Sequence, residues 1–160
     1  NDSVAPFLKW CPPDQGGRGV FVLVRTSNPG AKDFQDLQIG NEPLCDVVAE
    51  AVNQWGSQLP QEHGYHAVGA VVGATWPEEL ARLRKLLPNS WLLLPGVGAQ
   101  GGKVEDLAAA FDEQGLGALV NQSRGVMQCF APAQNDWLDR IDQACATFAA
   151  ECRAVAVPNR

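Results

Sequence analysis

Continuous apolar runs alternate along this sequence with segments of helical periodicity. Four runs are rich in β-branched and other bulky apolar residues, and they lie at 19–25, 66–73, 91–94 and 117–121. Apolar runs without polar alternation are typical of strands that are buried on both faces of a parallel sheet. Helical patterns follow these runs at 44–55, 76–87, 104–113 and 135–154. The sequence therefore predicts four βα units in series.

The helix at 76–87 carries the clearest local signal. Thr75, Trp76, Pro77 and Glu78 form a capping-box pattern with proline in the first turn. Because buried parallel strands require right-handed crossovers, two architectures accommodate the four units: a complete doubly wound sheet, or half of a (β/α)8 barrel (TIM barrel). In such barrels the functional groups lie on the loops that follow the strands. These loops therefore discriminate between the two architectures.

Composition excludes several classes of partner. The 160 residues contain 12 basic and 18 acidic side chains, a net charge of −6, without a basic cluster that could neutralise a row of phosphates. We therefore expect neither nucleic acid nor an anionic membrane as a partner. Five cysteines without a Cys-x-x-Cys pair indicate reduced thiols, a cytoplasmic location and no metal site. Because the sequence begins at Asn1 and Met127 is its only methionine, we expect it to be part of a longer polypeptide.

Glycine is concentrated after the third predicted strand, in the segment 95–102, which we call the glycine loop. It contains Gly96, Gly98, Gly101 and Gly102. Glycines let backbone N–H groups turn towards one point and approach an anion, so the loop is predicted to bind phosphate; a flexible surface loop is the alternative. The string also resembles a dinucleotide fingerprint, but it stands in the third βα unit instead of the first, which disfavours that function.

Polar groups follow two other predicted strands. Ser123, Arg124 and Gly125 come after the fourth strand, and the guanidinium fork of Arg124 suits a phosphate dianion. A solvated surface arginine is the alternative. Thr26, Ser27 and Asn28 follow the first strand and form an ordinary strand exit when taken alone. The glycine loop and the loop with Ser123, Arg124 and Gly125 follow consecutive strands, and together they match the phosphate site that barrels build after their last two strands. His63 and His66 lie at the N-terminal end of the second predicted strand, and we expect both at the surface.

Four stretches resemble the longer bacterial subfamily of orotidine 5′-phosphate decarboxylases, in the C-terminal half of those enzymes. They are VFVLVRTSNPGAKDFQDL (20–37), GAVVGATWPEELARLR (69–84), LLPGVGAQGG (93–102) and NQSRGV (121–126). The resemblance extends from about Ser3 to Cys129. It implies that residues 1–160 form one partial domain, the C-terminal half (four βα units) of a (β/α)8 TIM barrel. The expected partners are the N-terminal half of the barrel and a second copy in a homodimer.

The resemblance also implies a role for individual residues. Ser27 would bond the pyrimidine ring, the loop from Pro95 to Gly102 would close over the ligand, and Gln100 would reach the phosphate. Arg124 would bind that phosphate. Backbone N–H groups would supplement it at Gly98, Gly101, Gly102, Ser123 and Gly125.

The chemical residues of the resembled family are not found in this sequence. That family converts orotidine 5′-phosphate (OMP) to UMP and carbon dioxide, the last step of de novo pyrimidine synthesis, without a cofactor. It uses a lysine held between aspartates in an Asp-x-Lys-x-x-Asp stretch. The nearest strings, at 30–35 and 101–106, lack both or one of the aspartates. We therefore expect this chain to supply the phosphate and pyrimidine loops of a carboxy-lyase, to contain no catalytic residue and to be inactive alone.

Two other functions remain open at this point. The chain could belong to a different barrel enzyme with the same phosphate loops, such as a sugar-phosphate isomerase or aldolase. It could also be a non-catalytic phosphate-binding α/β module with a doubly wound sheet. An Asp-x-Lys-x-x-Asp stretch upstream of Asn1 would support the decarboxylase.

Overall fold

The computed structural model describes residues 2–131 and 135–157. Its strands are β1 (Val20–Arg25), β2 (Gln38–Ile39), β3 (Glu42–Pro43), β4 (Gln61–Glu62), β5 (Tyr65–Val72), β6 (Ser90–Leu94) and β7 (Ala118–Val120). Its α-helices are α1 (Ala5–Leu8), α2 (Lys32–Gln35), α3 (Leu44–Gly56), α4 (Pro77–Leu86), α5 (Ser123–Met127) and α6 (Trp137–Ala156). Short 3₁₀ segments lie at Pro13–Gln15, Pro29–Ala31 and Val104–Ala110.

The main sheet has the order β1-β5-β6-β7, and its neighbouring strands are parallel. The register runs from Val22 through Ala70 and Leu92 to Ala118. These strands are the four that the apolar runs predict, and α3, α4 and α6 lie where helical periodicity places them. The fold class is therefore confirmed as parallel α/β. Two small antiparallel additions, the β2–β3 hairpin and the β4–β5 pair, were not predicted.

Two local predictions about helices were wrong. The segment expected as a helix over 104–113 is a 3₁₀ segment at Val104–Ala110. Its buried residues, Val104, Leu107 and Ala110, recur every third position, a spacing that a 3₁₀ helix places on one face. The capping box before α4 does not form either, because Trp76 is the N-cap and makes no side-chain cap hydrogen bond. Proline at the first helical position starts this helix without it.

The core lies between the sheet and the helices that cover one of its faces. Val52 from α3, Leu80 and Leu83 from α4, and Val68 and Leu92 from the sheet are fully buried there. Burying a side chain of this size contributes about 1.5–3 kcal/mol to folding.

The opposite face of the sheet is open, although its apolar runs predict burial on both sides. Leu23 is 65% exposed, Leu119 is 48% exposed and Phe21 is 42% exposed. Parallel sheets normally have both faces covered. The strands therefore have the composition of a two-sided core, of which the described residues provide one side.

His66 is buried, contrary to the expectation that both histidines lie at the surface. It is 2% exposed, and its ring occupies the space next to Gly56, where a Cβ atom would collide with it. Its Nε2 lies 3.4 Å from the hydroxyl of Ser90. The backbone N–H of His66 donates a hydrogen bond to the carbonyl oxygen of Asn89 at 3.0 Å. Burial lowers the pKa of His66.

Within the described ranges, no helix has the length and apolar character that crossing a membrane requires. The same residues contain no cluster of His, Cys, Asp or Glu side chains that could hold a metal ion.

Candidate functional site

Three segments meet at the carboxyl edge of the main sheet. They are the Ser27 loop (26–31) after β1, the glycine loop after β6, and the start of α5 after β7. Together they enclose a cavity of about 180 Å³. The cavity is lined by Ser27, Pro95, Gly96, Val97, Ala99, Gln100, Asn121, Gln122, Ser123 and Arg124. The structure thus brings together five of the predicted site residues, namely Ser27, Pro95, Gln100, Ser123 and Arg124.

Ser27 and Gln100 join the first and second of these segments directly. The hydroxyl of Ser27 donates a hydrogen bond to the side-chain oxygen Oε1 of Gln100. Gly96 makes room for this contact, because a Cβ atom there would lie 2.8 Å from Gln100 Oε1 and 2.9 Å from Ser27 Cβ. Gly96 also has a φ of +100°, which disfavours any other residue. The glycine loop is therefore held over the Ser27 loop in this structure.

The predicted backbone donors of the glycine loop bond within the loop itself. The N–H of Gly98 donates to the carbonyl oxygen of Gly102 at 2.8 Å, and the N–H of Gly101 donates to that of Gly98 at 2.8 Å. The N–H of Gly102 donates to the carbonyl oxygen of Gly96 at 3.1 Å. Contact of these three groups with a phosphate stays a prediction, and it requires the loop to rearrange.

Arg124 and its neighbours form the first turn of α5. The N–H groups of Ser123, Arg124 and Gly125 precede any intrahelical acceptor, as in the first turn of every helix. Arg124 contributes the one charged side chain among the described residues of the lining, and the other polar groups there are hydroxyls and amides. A guanidinium surrounded by neutral hydrogen-bonding groups suits an anion with several oxygen atoms.

Gln122 links the glycine loop to α5 and was missed by sequence reasoning. A Cβ atom at Gly98 would lie 2.9 Å from Gln122 Nε2, and one at Gly125 would lie 2.6 Å from Gln122 Cδ. Both glycines therefore leave space for this amide. The glycines themselves were the only signal in the sequence, since nothing in it indicates which side chain fills that space.

Lys103, the lysine of the nearest motif-like string, lies outside this cavity. It is the N-cap residue of the 3₁₀ segment and lines a different cavity, of about 400 Å³, between the glycine loop and α6. The described residues therefore place no lysine beside Ser27 and Arg124.

The parallel sheet and the loops at its carboxyl edge place the chain among α/β proteins of the (β/α)8 barrel type, of which it matches about half. Within that class, the chain is homologous to the C-terminal half of orotidine 5′-phosphate decarboxylases. No family model matches the chain.

Curated relatives carry that enzyme's name. The chain is 47% identical over 129 residues to the orotidine 5′-phosphate decarboxylase of Caldicellulosiruptor bescii, covering 81% of this chain and 42% of the relative. It is 43% identical to that of Rhodopirellula baltica (89% and 49%) and 40% identical to that of Cupriavidus necator (99% and 50%). The chain thus spans about half the length of the curated relatives it matches.

Solved structures agree with the sequence relatives. Leishmania donovani UMP synthase superposes with a TM-score of 0.72 at 35% identity, over 97% of this chain and 31% of that one. Leishmania donovani OMP decarboxylase superposes with a TM-score of 0.69 at 33% identity, over 96% and 54%. This likeness accounts for the open face of the sheet, since a half-barrel exposes the surface that faces the rest of a barrel.

Proposed function

We propose that this chain is the substrate-gripping half of an orotidine 5′-phosphate decarboxylase, a carboxy-lyase that converts OMP to UMP and carbon dioxide. The observation that carries the proposal is the cavity at the carboxyl edge, where Ser27, Gln100 and Arg124 line one space. The 40–47% identity to enzymes of that name supports it. In this proposal residues 1–160 are one partial domain of a cytoplasmic homodimer.

Three side chains of the cavity have a role in this function, and two backbone groups at the start of α5 add to them. The guanidinium of Arg124 binds the phosphate through charge-assisted hydrogen bonds. Gln100 reaches the same phosphate from the glycine loop, and Ser27 contacts the pyrimidine ring. Because Ser27 and Gln100 are hydrogen-bonded to each other, one contact connects the two ends of the nucleotide. The N–H groups of Ser123 and Gly125 add donors at the start of α5.

The chemistry itself is assigned to the N-terminal half of the barrel, which also covers the open face around Leu23 and Leu119. There an Asp-x-Lys-x-x-Asp array supplies an ammonium group to the carbanion that forms when carbon dioxide leaves. Phosphate and ribose are remote from the bond that breaks. Binding energy from such remote groups orders the loop and aligns the charged groups, which lowers the barrier.

The test compares Arg124→Ala with Gln100→Ala in the polypeptide at its native length. Loss of the charge-assisted contacts of Arg124 should lower kcat/KM by a factor that corresponds to a loss of about 2–4 kcal/mol of transition-state stabilisation. Gln100 is neutral, so its replacement should lower kcat/KM less, by a factor that corresponds to about 1–2 kcal/mol of transition-state stabilisation. Steady-state decarboxylation of OMP, followed by ultraviolet absorbance, measures both.

The same variants are then assayed on orotidine, which lacks the phosphate. If Arg124 and Gln100 act by binding the phosphate, both variants should have the same kcat/KM as the wild type on orotidine. Equal losses on the two substrates would mean that these residues support folding or the pyrimidine end, and this edge would not be a phosphate site.

A further inference from the structure

Arg25 is a fully buried cation that ends β1, two residues before Ser27. It is 0% exposed. The register of β1 against β5 shifts between Leu23 and Arg25, and this irregularity allows the consecutive residues Val24 and Arg25 both to be buried. Bulges of this kind re-aim a side chain at the end of a strand. The guanidinium of Arg25 is thereby turned into the protein and away from solvent.

Two carboxylates from different elements hold this guanidinium. Glu79 of α4 accepts a hydrogen bond from Nη2 at 2.9 Å, and its other oxygen lies 2.6 Å from Nε in an ionic contact. Asp36, which follows α2, accepts a hydrogen bond from Nη1 at 2.6 Å. Burial opposes the charged form, but Glu79 and Asp36 outweigh it and raise the pKa of Arg25. The ring of Trp76 lies 5.3 Å from the guanidinium carbon.

The Ser27 loop is held by hydrogen bonds at both of its ends. Arg25 precedes the loop, and its carbonyl oxygen accepts a hydrogen bond from the N–H of Gly73 at 2.7 Å. The N–H of Thr26 donates to Gln35 Oε1 at 3.0 Å, and Gln35 Nε2 donates to the Thr26 hydroxyl at 3.1 Å. The end of β1 is thus bound to the segment that follows the loop, through Gln35 on Thr26 and Asp36 on Arg25.

We propose that Arg25 is a positioning residue for the proposed reaction. It joins the end of β1 to α2 and α4, and so fixes the Ser27 loop in the place from which the Ser27 hydroxyl reaches Gln100. This inference rests on the proposed function for its effect on the reaction, whereas the fixation of the loop is independent of it. The planar guanidinium of Arg25 is required as well as its charge, because the single ammonium group of lysine does not reproduce the two-point contact with Glu79 together with the contact with Asp36.

Hydrogen exchange tests the fixation without reference to activity. In Arg25→Lys, the amides of 26–31 should exchange about tenfold faster or more, while those of α3 keep their wild-type rates. The matched control is Arg82→Lys, which makes the same substitution in a different arginine–carboxylate pair, between Arg82 of α4 and Asp46 of α3. Arg82→Lys should accelerate exchange in α3 and leave 26–31 unchanged.

A double-mutant cycle in the polypeptide at its native length tests whether Arg25 affects the reaction through Ser27. Arg25→Lys alone should lower kcat/KM for OMP about tenfold, since a small misplacement of a binding group is costly. In a Ser27→Ala background the same substitution should have little further effect. If Arg25→Lys fails to fold, Asp36→Asn, which leaves the Glu79 contact intact, serves in its place with a smaller effect in the same segment.

The outcomes separate the two proposals. If the amides of 26–31 exchange faster in Arg25→Lys but the wild-type polypeptide does not decarboxylate OMP, the proposed function is overturned and the fixation of the loop stands. Unchanged exchange in 26–31, or additive losses of activity in the cycle, would overturn the positioning role, and Arg25 would then be a structural ion pair only.

Discussion

His66 is the buried histidine at the start of β5, and its surroundings favour the neutral ring. Desolvation is the main cause of its lowered pKa, and the positive charge of Arg84 acts in the same direction. His63, two residues before β5, lies in solvent and has a φ of +51°. Sequence spacing does not distinguish the two, because only the packing of α3 against β5 buries one of them.

The first prediction concerns the dependence of stability on pH. A folded-state pKa below the unfolded value of about 6.5 means that the unfolded chain binds the proton more readily. The stabilisation is therefore complete above that pH and is lost as pH falls towards the folded pKa. Urea unfolding at pH 7.5 and 5.5 should show a lower free energy of unfolding at the acidic pH, with a slope of at most about 1.4 kcal/mol per pH unit for one proton.

Two variants identify the group responsible. His66→Phe should flatten the dependence between those two pH values, whereas His63→Asn should retain it, since asparagine tolerates the positive φ of that position. A slope that survives in His66→Phe would assign the effect to other groups.

The Ser27 loop depends on the end of β5 as much as on its own sequence. At Gly73, a Cβ atom would lie 2.8 Å from the backbone N of Ser27 and 2.9 Å from its Cα. These are backbone atoms, so they cannot move aside as a flexible side chain would. Gly73 thus permits the close approach that places Ser27 beside Gln100.

The second prediction compares two glycines next to this loop. Gly73→Ala should displace Ser27 and lower kcat/KM for OMP roughly 10- to 100-fold in the polypeptide at its native length. Gly30→Ala is the control within the loop, because its Cβ would make ordinary contacts, the nearest at 3.5 Å, and its φ is not positive. Equal effects of both substitutions would indicate general sensitivity of the loop instead of this contact.

The apolar runs and helical periods predicted the main strands and the longer helices because each is a pattern of many residues. The β2–β3 hairpin has two residues in each strand, too few for any periodicity to appear. The glycine loop and Arg124 were visible because glycine density and an arginine beside glycine have a direct chemical meaning. Arg25 and Gln122 were not visible, because their contacts depend on a register shift and on a fitted cavity between distant segments.

The open face of the sheet is a property of the whole molecule. Phe21, Leu23 and Leu119 lie on strands whose other face is packed against helices. Exposed apolar area of this kind is typical of a surface that makes contact with a partner. The chain spans about half the length of the curated relatives it matches, and in the proposed function the other half of the barrel covers this face.

The third prediction is that the isolated 160-residue chain does not decarboxylate OMP. The reason is that the described cavity offers a guanidinium, hydroxyls and amides but no ammonium group beside them. Loss of OMP absorbance is measured on purified chain and on the Arg124→Ala variant prepared in parallel. Activity in the wild-type chain that disappears in the variant would contradict the prediction, whereas equal traces in both preparations would come from a contaminating enzyme.

The strand order has a consequence for how the molecule is made. Along the main sheet, β1, β5, β6 and β7 pair in the order in which they are synthesised. Neighbouring strands pair residues that are tens of positions apart, such as Val22 with Ala70, so each pairing closes a long loop and a parallel sheet of this kind forms slowly. Each strand of the main sheet nevertheless finds its first neighbour already synthesised when it leaves the ribosome, because the order of the strands in the sheet is their order along the chain.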